Sequence, residues 1–173
     1  MPSPDVPAAV DSPTASVVRA LIDRGLTIAV AESLTGGMLT AELTSVPGAS
    51  AVVLGGAVVY ATELKHTLLG VDGDLLAVEG PVHPEVARQL ASGVRERLAV
   101  GGRAADLGLS TTGVAGPDPQ GGRPVGTVFV GIATTEGTRS LALELSGDRE
   151  AIRRRTVREA VAALAAELGI TAG

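Results

Sequence analysis

Leu26-Thr27-Ile28-Ala29-Val30-Ala31-Glu32-Ser33-Leu34-Thr35-Gly36-Gly37 decides the fold. Its first half, Leu26 to Ala31, is a short apolar run of strand type. Beyond it, Met38, Leu39 and Leu43 recur at helical spacing over Thr35 to about Thr44, where Pro47-Gly48 breaks the pattern. A strand passing directly into a helix is the repeating unit of α/β domains. On the N-terminal side, Thr14 reads as the cap of an amphipathic helix that places Val17, Val18, Leu21 and Ile22 on one face and stops at Gly25. Residues 1–13, with Pro2, Pro4, Pro7 and Pro13 among small and acidic residues, read as a disordered tail ahead of a single domain over 14–173.

On the C-terminal side, Gly55 to Tyr60 reads as a buried strand and Thr62–Leu69 as a short helix. Pro84 opens another helix, along which Val86, Leu90, Val94 and Leu98 recur every four residues. Ala105 to Thr111 and Thr127 to Thr134 read as strands, the second turning at Glu136-Gly137 into Ser140–Leu145 as a hairpin. Asp148 caps a last helix with Ile152, Val157, Val161, Leu164 and Leu168 inward. Strands alternating with helices and ending in an antiparallel hairpin describe a three-layer α/β/α sandwich with a mixed five-stranded sheet.

Composition removes several functional classes. The chain has 173 residues, 14 basic and 19 acidic, for a formal charge of −5. On a prior of roughly 150 residues per domain this is one domain, long enough to bury roughly 70% of its unfolded surface. With no Cys, disulfide scaffolds, zinc ribbons and thiol nucleophiles drop out, and two His are too few for an all-histidine metal site. No cofactor or metal is therefore expected. The longest apolar run, Ala51 to Ala61, is too short for a membrane span. The acidic balance and the lone Tyr60 and Phe129 argue against direct nucleic-acid binding. The expected setting is cytoplasmic, the expected partner a small molecule, and a homo-oligomer such as a dimer stays open.

Three segments at strand ends carry groups suited to chemistry. In the first, Ser33 sits on a strand-to-helix turn, where α/β proteins tend to bind ligands. The helix-start N–H groups at Thr35-Gly36-Gly37 are placed to meet an anion or an oxyanion. The bland reading, a Ser/Thr cap with packing glycines, is equally open. In the second, Tyr60 is followed by Lys65, the single Lys among 14 basic residues. Arg stays protonated, whereas a desolvated Lys can act as a base; an amphipathic Tyr with a surface Lys–Glu pair is the alternative. The third is Ser110-Thr111-Thr112-Gly113-Val114-Ala115-Gly116-Pro117-Asp118, a strand entering a Gly/Pro loop fit for phosphate or for an ordinary turn. Among the arginines at 149–158, a solvated face is the better reading, with only Arg149 turned toward a ligand.

Taken together these segments resemble the C-terminal domain of the competence/damage-inducible CinA proteins, the nicotinamide-nucleotide amidohydrolase family. The resemblance rests on Ala31-Glu32-Ser33 with Thr35-Gly36-Gly37, Val46-Pro47-Gly48-Ala49-Ser50, Gly55-Gly56, and Tyr60 with Glu63 and Lys65. It continues through Leu68-Leu69-Gly70-Val71, Thr112-Gly113-Val114-Ala115-Gly116-Pro117, Pro124-Val125-Gly126-Thr127-Val128 and Gly147-Asp148-Arg149. It implies an α/β/α fold and hydrolysis of the amide of nicotinamide mononucleotide to nicotinate mononucleotide and ammonia. It also implies Ser33 as nucleophile with Lys65 and Tyr60 assisting. Thr35, Gly36, Gly37, Thr112, Gly113, Ala115, Gly116 and Arg149 are then the expected substrate contacts. The rival is a catalytically silent nucleotide-binding module linked to competence or the DNA-damage response.

Overall fold

A computed structural model describes residues 12–170. The chain runs α1 (Pro13–Arg24), β1 (Ile28–Glu32), α2 (Met38–Thr44), a single 3-10 turn (Ala49–Ala51), β2 (Val53–Val58), α3 (Thr62–Leu69) and α4 (Gly73–Glu79). It continues with α5 (Pro84–Arg97), β3 (Leu107–Gly113), β4 (Thr127–Ala133), β5 (Thr138–Glu144) and α6 (Arg149–Glu167). The five strands form one sheet in the order β2-β1-β3-β4-β5. β1 pairs in parallel with β2 and β3, and the β3–β4 and β4–β5 pairs are antiparallel. The mixed five-stranded α/β sheet expected from the sequence is what the chain forms.

Alternation along β1 divides the interior. Ile28 and Val30 enter a core shared with α1, α2 and α6, whereas Ala29 and Ala31 enter a second core shared with α3, α4 and α5. On the second face α5 lies directly on the backbone. A Cβ at Gly108 would sit 1.9 Å from the Ala91 carbonyl oxygen, and one at Gly131 would sit 2.1 Å from that of Ala87. Ser110 uses the same close approach to donate its hydroxyl to the Ala87 carbonyl at 2.6 Å. Small residues facing α5 are thus what let helix and sheet meet at this distance.

The structure moves several expected boundaries. Ser12, not Thr14, caps α1, accepting from the Ala15 N–H, with Pro13 in the first turn. Thr14 is buried and donates to the Glu42 carboxylate at 2.6 Å, while Ile22 lies partly exposed. The expected tail otherwise lies outside the described residues. The segment expected as a buried strand is an edge strand, with Val58 45% exposed, because among the described residues no strand pairs with β2 on its outer side. β3 lies two residues later than expected: Asp106, before it, accepts from the N–H and hydroxyl of Thr27 and stays in the connection. Helix α4 has no counterpart in the sequence reading; Asp72 caps it by accepting from Asp74 and Leu75.

The topology positions the site. β1, β2 and β3 are parallel, so their carboxyl ends, at Glu32, Val58 and Gly113, lie along one edge of the sheet. From β1 the chain first builds β2 on one side and later β3 on the other, which makes this edge a topological switch point.

Candidate active site

Three strand ends meet in one cavity of about 160 Å³. The turn after β1 supplies Ser33 and Leu34, and the segment after β2 supplies Tyr60, Thr62 and Lys65. β3 and its loop supply Thr112, Gly113, Ala115, Gly116, Asp118 and Gln120, and Pro81 and Val82 before α5 join the wall with Arg149, the first residue of α6. Lys65 is 1% exposed, although it stands on a short helix whose neighbours Leu64 and Leu68 face outward. Its Nζ lies 3.0 Å from Ser33 Oγ and donates to the Val59 carbonyl at 2.7 Å. Burial pushes the Lys65 ammonium down from 10.5 to about 8, so the neutral amine is accessible near physiological pH. Glu63 is exposed, and none of the ion pairs found among the described residues involves Lys65.

The turn that carries Ser33 is held on both sides. Glu32 is fully buried, and its carboxylate accepts from the N–H groups of Gly37 and Leu39 at 3.0 Å and of Thr40 at 2.7 Å. The Thr40 hydroxyl adds a fourth bond at 2.7 Å. A carboxylate so bonded at a helix start satisfies donors that have no partner within the helix. From the other side, Arg153 of α6 donates through Nε to the Leu34 carbonyl at 2.9 Å and through its guanidinium to the Thr35 carbonyl at 3.2 Å. Within the turn, the Gly36 N–H donates to the Ser33 carbonyl, and the Ser33 N–H donates across to Thr111 of β3.

At the cavity mouth Arg149 donates to the Gly116 carbonyl at 2.7 Å and to the Tyr60 hydroxyl at 2.8 Å. It thereby joins the α6 start, the loop after β3 and the segment after β2. Tyr60 is 59% exposed and its oxygen is engaged by this guanidinium, while Lys65 meets Ser33 without an intermediary.

A sequence model of the CinA C-terminal domain matches residues 10–168. The chain belongs to this family. It is 52% identical over 143 residues to a CinA-like protein of Frankia casuarinae, covering 83% of this chain and 32% of that protein. It is 50% identical over 142 residues to a putative competence-damage inducible protein of a Geobacillus species, covering 82% and 33%. The chain thus spans about a third of the length of these curated relatives. Among solved structures, a CinA superfamily protein of Klebsiella pneumoniae superposes with a TM-score of 0.83 at 34% identity, over 91% of this chain and 96% of that one. A CinA superfamily protein of Escherichia coli gives 0.82 at 27%, over 95% and 92%.

In this CinA domain the cavity gathers Ser33, Lys65, Tyr60, Thr112, Gly113, Ala115, Gly116 and Arg149, as the sequence reading groups them. It does not gather Thr35, Gly36 or Gly37. Thr35 is fully buried with its hydroxyl against that of Thr111 at 2.8 Å, and the N–H groups of Gly36 and Gly37 are taken by the Ser33 carbonyl and by Glu32. The expected anion site at this helix start is therefore filled by the protein's own carboxylate. Sequence reasoning misses the roles of Glu32 and Arg153. It offers Glu32 only as part of a motif and puts Arg153 on a solvated face, a placement the contacts with Leu34 and Thr35 correct.

The buried Lys65 has a consequence for stability. Its folded value, about 8, lies below the 10.5 of an unperturbed Lys, so the fold disfavours the charged form. Between those two values the unfolded chain holds a proton that the folded chain has released, and stability rises with pH across the window. The full gap corresponds to about 3 kcal/mol. Urea unfolding at about pH 7 and about pH 10.5 should show the wild type gaining on Lys65→Met by this order. Identical pH dependence in the two proteins would mean that Lys65 keeps its ordinary titration.

Proposed function

We propose that this domain hydrolyses the carboxamide of nicotinamide mononucleotide to nicotinate mononucleotide and ammonia, with Ser33 as nucleophile and neutral Lys65 as its base. The observation that carries this reading is the buried Lys65 amine at 3.0 Å from Ser33 Oγ, with its proton affinity lowered by burial. An amide is a poor electrophile, so a serine hydroxyl needs a base within hydrogen-bond reach.

In the mechanism, Lys65 Nζ takes the Ser33 proton as Oγ forms a bond to the carboxamide carbon. The main-chain N–H of Leu34, next after the nucleophile on the cavity wall, and the N–H groups of the loop at Ala115 and Gly116 are the candidate oxyanion donors. Collapse breaks the C–N bond, and the proton on Lys65 leaves with the nitrogen as ammonia. A water then gives its proton to Lys65 and attacks the Ser33 ester, releasing the carboxylic acid and restoring the serine hydroxyl. Tyr60, held by Arg149, shapes the mouth and orients substrate; Lys65 reaches Ser33 directly, so the proton needs no relay through the phenol.

Substrate size and charge support a nucleotide entering head first. At about 160 Å³ the cavity is smaller than the roughly 300–1,000 Å³ of common ligand pockets. It suits a pyridine carboxamide with the sugar and phosphate at the mouth. Apart from Lys65, the basic side chain on its wall is Arg149. The reading belongs to pyridine nucleotide salvage in the cytoplasm and calls for no cofactor.

Purified protein should release ammonia from the mononucleotide with kcat/KM at least about 10-fold above that for the riboside or free nicotinamide, one lost charge-assisted contact being worth about that much. Chelator should leave the rate unchanged. Equal efficiency on the riboside would remove the phosphate from the recognition scheme. Nucleotide binding without ammonia release would favour the silent binding module.

A further inference from the structure

We propose that Arg153 is a positioning residue for Ser33: its guanidinium, by bridging the Leu34 and Thr35 carbonyls, fixes the peptide planes that follow the nucleophile. The inference rests on Ser33 being the nucleophile, and it assigns a role to a side chain outside the cavity wall.

The turn needs such a brace. Ser33, Leu34 and Thr35 are all buried, and the segment belongs to neither β1 nor α2. Its carbonyls therefore require donors away from water. The Ser33 carbonyl accepts from Gly36 and the Thr35 carbonyl from Met38, both inside the turn. The Leu34 carbonyl accepts from Arg153 Nε at 2.9 Å, and the same guanidinium reaches the Thr35 carbonyl at 3.2 Å. A planar fork on two successive carbonyls sets the orientation of the peptide units after Ser33, which a single ammonium cannot do.

Two further features make the role specific. Glu32 restrains the N–H side of the same turn, so Arg153 supplies the complementary restraint on its C=O side. Arg149 stands one helical turn earlier on α6, the element whose first residues therefore contact both the cavity mouth and the nucleophile turn. Arg154, next in sequence, instead pairs with Glu150 on the outside. The space for the fork is tight: a Cβ at Gly36 would sit 3.1 Å from the Arg153 guanidinium, and Gly36 has a φ of +59°. Gly36 thus serves the turn and the brace, in place of the substrate contact expected of it.

The test reads Ser33 reactivity as well as turnover. Wild type, Ser33→Ala, Arg153→Ala and Arg153→Lys are treated with a fluorophosphonate, and adducts at residue 33 are timed by peptide mass. Steady-state hydrolysis of nicotinamide mononucleotide and thermal melting are measured on the same samples. The expected result is labelling in wild type and none in Ser33→Ala. Labelling and kcat should fall about 10- to 100-fold in both Arg153 variants, with KM within about two-fold of wild type, as for a reacting atom misplaced by about 1 Å. Methylguanidinium added to Arg153→Ala should restore part of the rate. Arg153→Lys keeps the charge and the aliphatic stem, so it answers the question if the alanine variant does not fold. Wild-type labelling rates in a folded Arg153 variant would overturn the positioning role while leaving Ser33 as nucleophile. No labelling of the wild type, together with no hydrolysis, would overturn the nucleophile reading and this role with it.

Discussion

Lys65→Arg is expected to lower kcat for amide hydrolysis by about 10²–10⁴-fold, the range supplied by a positioned general base. A residue that merely contributed positive charge near Ser33 would tolerate the exchange. A residue that must give up its proton would not, because a guanidinium stays charged at any working pH. The site already pushes the Lys65 ammonium down to about 8 by burial alone, so at neutral pH a useful fraction of the amine is neutral and the fraction grows with pH. In wild type the rate at saturating substrate should rise through this region and level off above it. The Lys65→Arg variant would have no such limb. Lys65→Ala avoids burying a larger cation and should be equally inactive, with the fold and nucleotide binding retained. An active Lys65→Arg enzyme would leave Lys65 as an electrostatic or substrate-orienting group.

Ser33→Ala is expected to reduce turnover by at least about 10³-fold, as loss of a nucleophile acting with its base does. The fold should survive it. The main-chain bonds of residue 33, to Thr111 and from Gly36, do not involve the hydroxyl, and Lys65 keeps the Val59 carbonyl as acceptor. Nucleotide affinity should change little, since the sugar and phosphate are expected at the cavity mouth, where Arg149 and the loop after β3 meet. A variant that melts like wild type, binds the nucleotide and releases no ammonia separates chemistry from binding.

Much of this architecture is legible in the sequence because local signals and burial agree. Pro84 starts α5, and Asp148 caps α6, whose Ile152, Val157, Val161 and Leu164 are all buried, as is Leu168 at its C-terminal cap. The single Lys also stands out in the sequence, and the fold brings it to Ser33. What is not legible depends on contacts across the fold. Hydrophobicity alone does not distinguish an edge strand from a central one, so β2 reads as buried. The Gly36-Gly37 turn looks like an anion site because nothing local says that Glu32, four and five residues earlier, folds back onto the N–H groups of this helix start. Arg153 and Arg154 are neighbours of equal charge. Only the packing of α6 against the turn after β1 sends one inward to Leu34 and leaves the other on Glu150.

The most direct measurement is ammonia release from saturating nicotinamide mononucleotide across about pH 6 to 10, for wild type with Ser33→Ala and Lys65→Arg in parallel. The Ser33–Lys65 account predicts a wild-type rate that climbs with a midpoint near the Lys65 value of about 8, and no comparable release from either variant at any pH. A wild-type rate independent of pH over this range, or wild-type turnover by either variant, would contradict it.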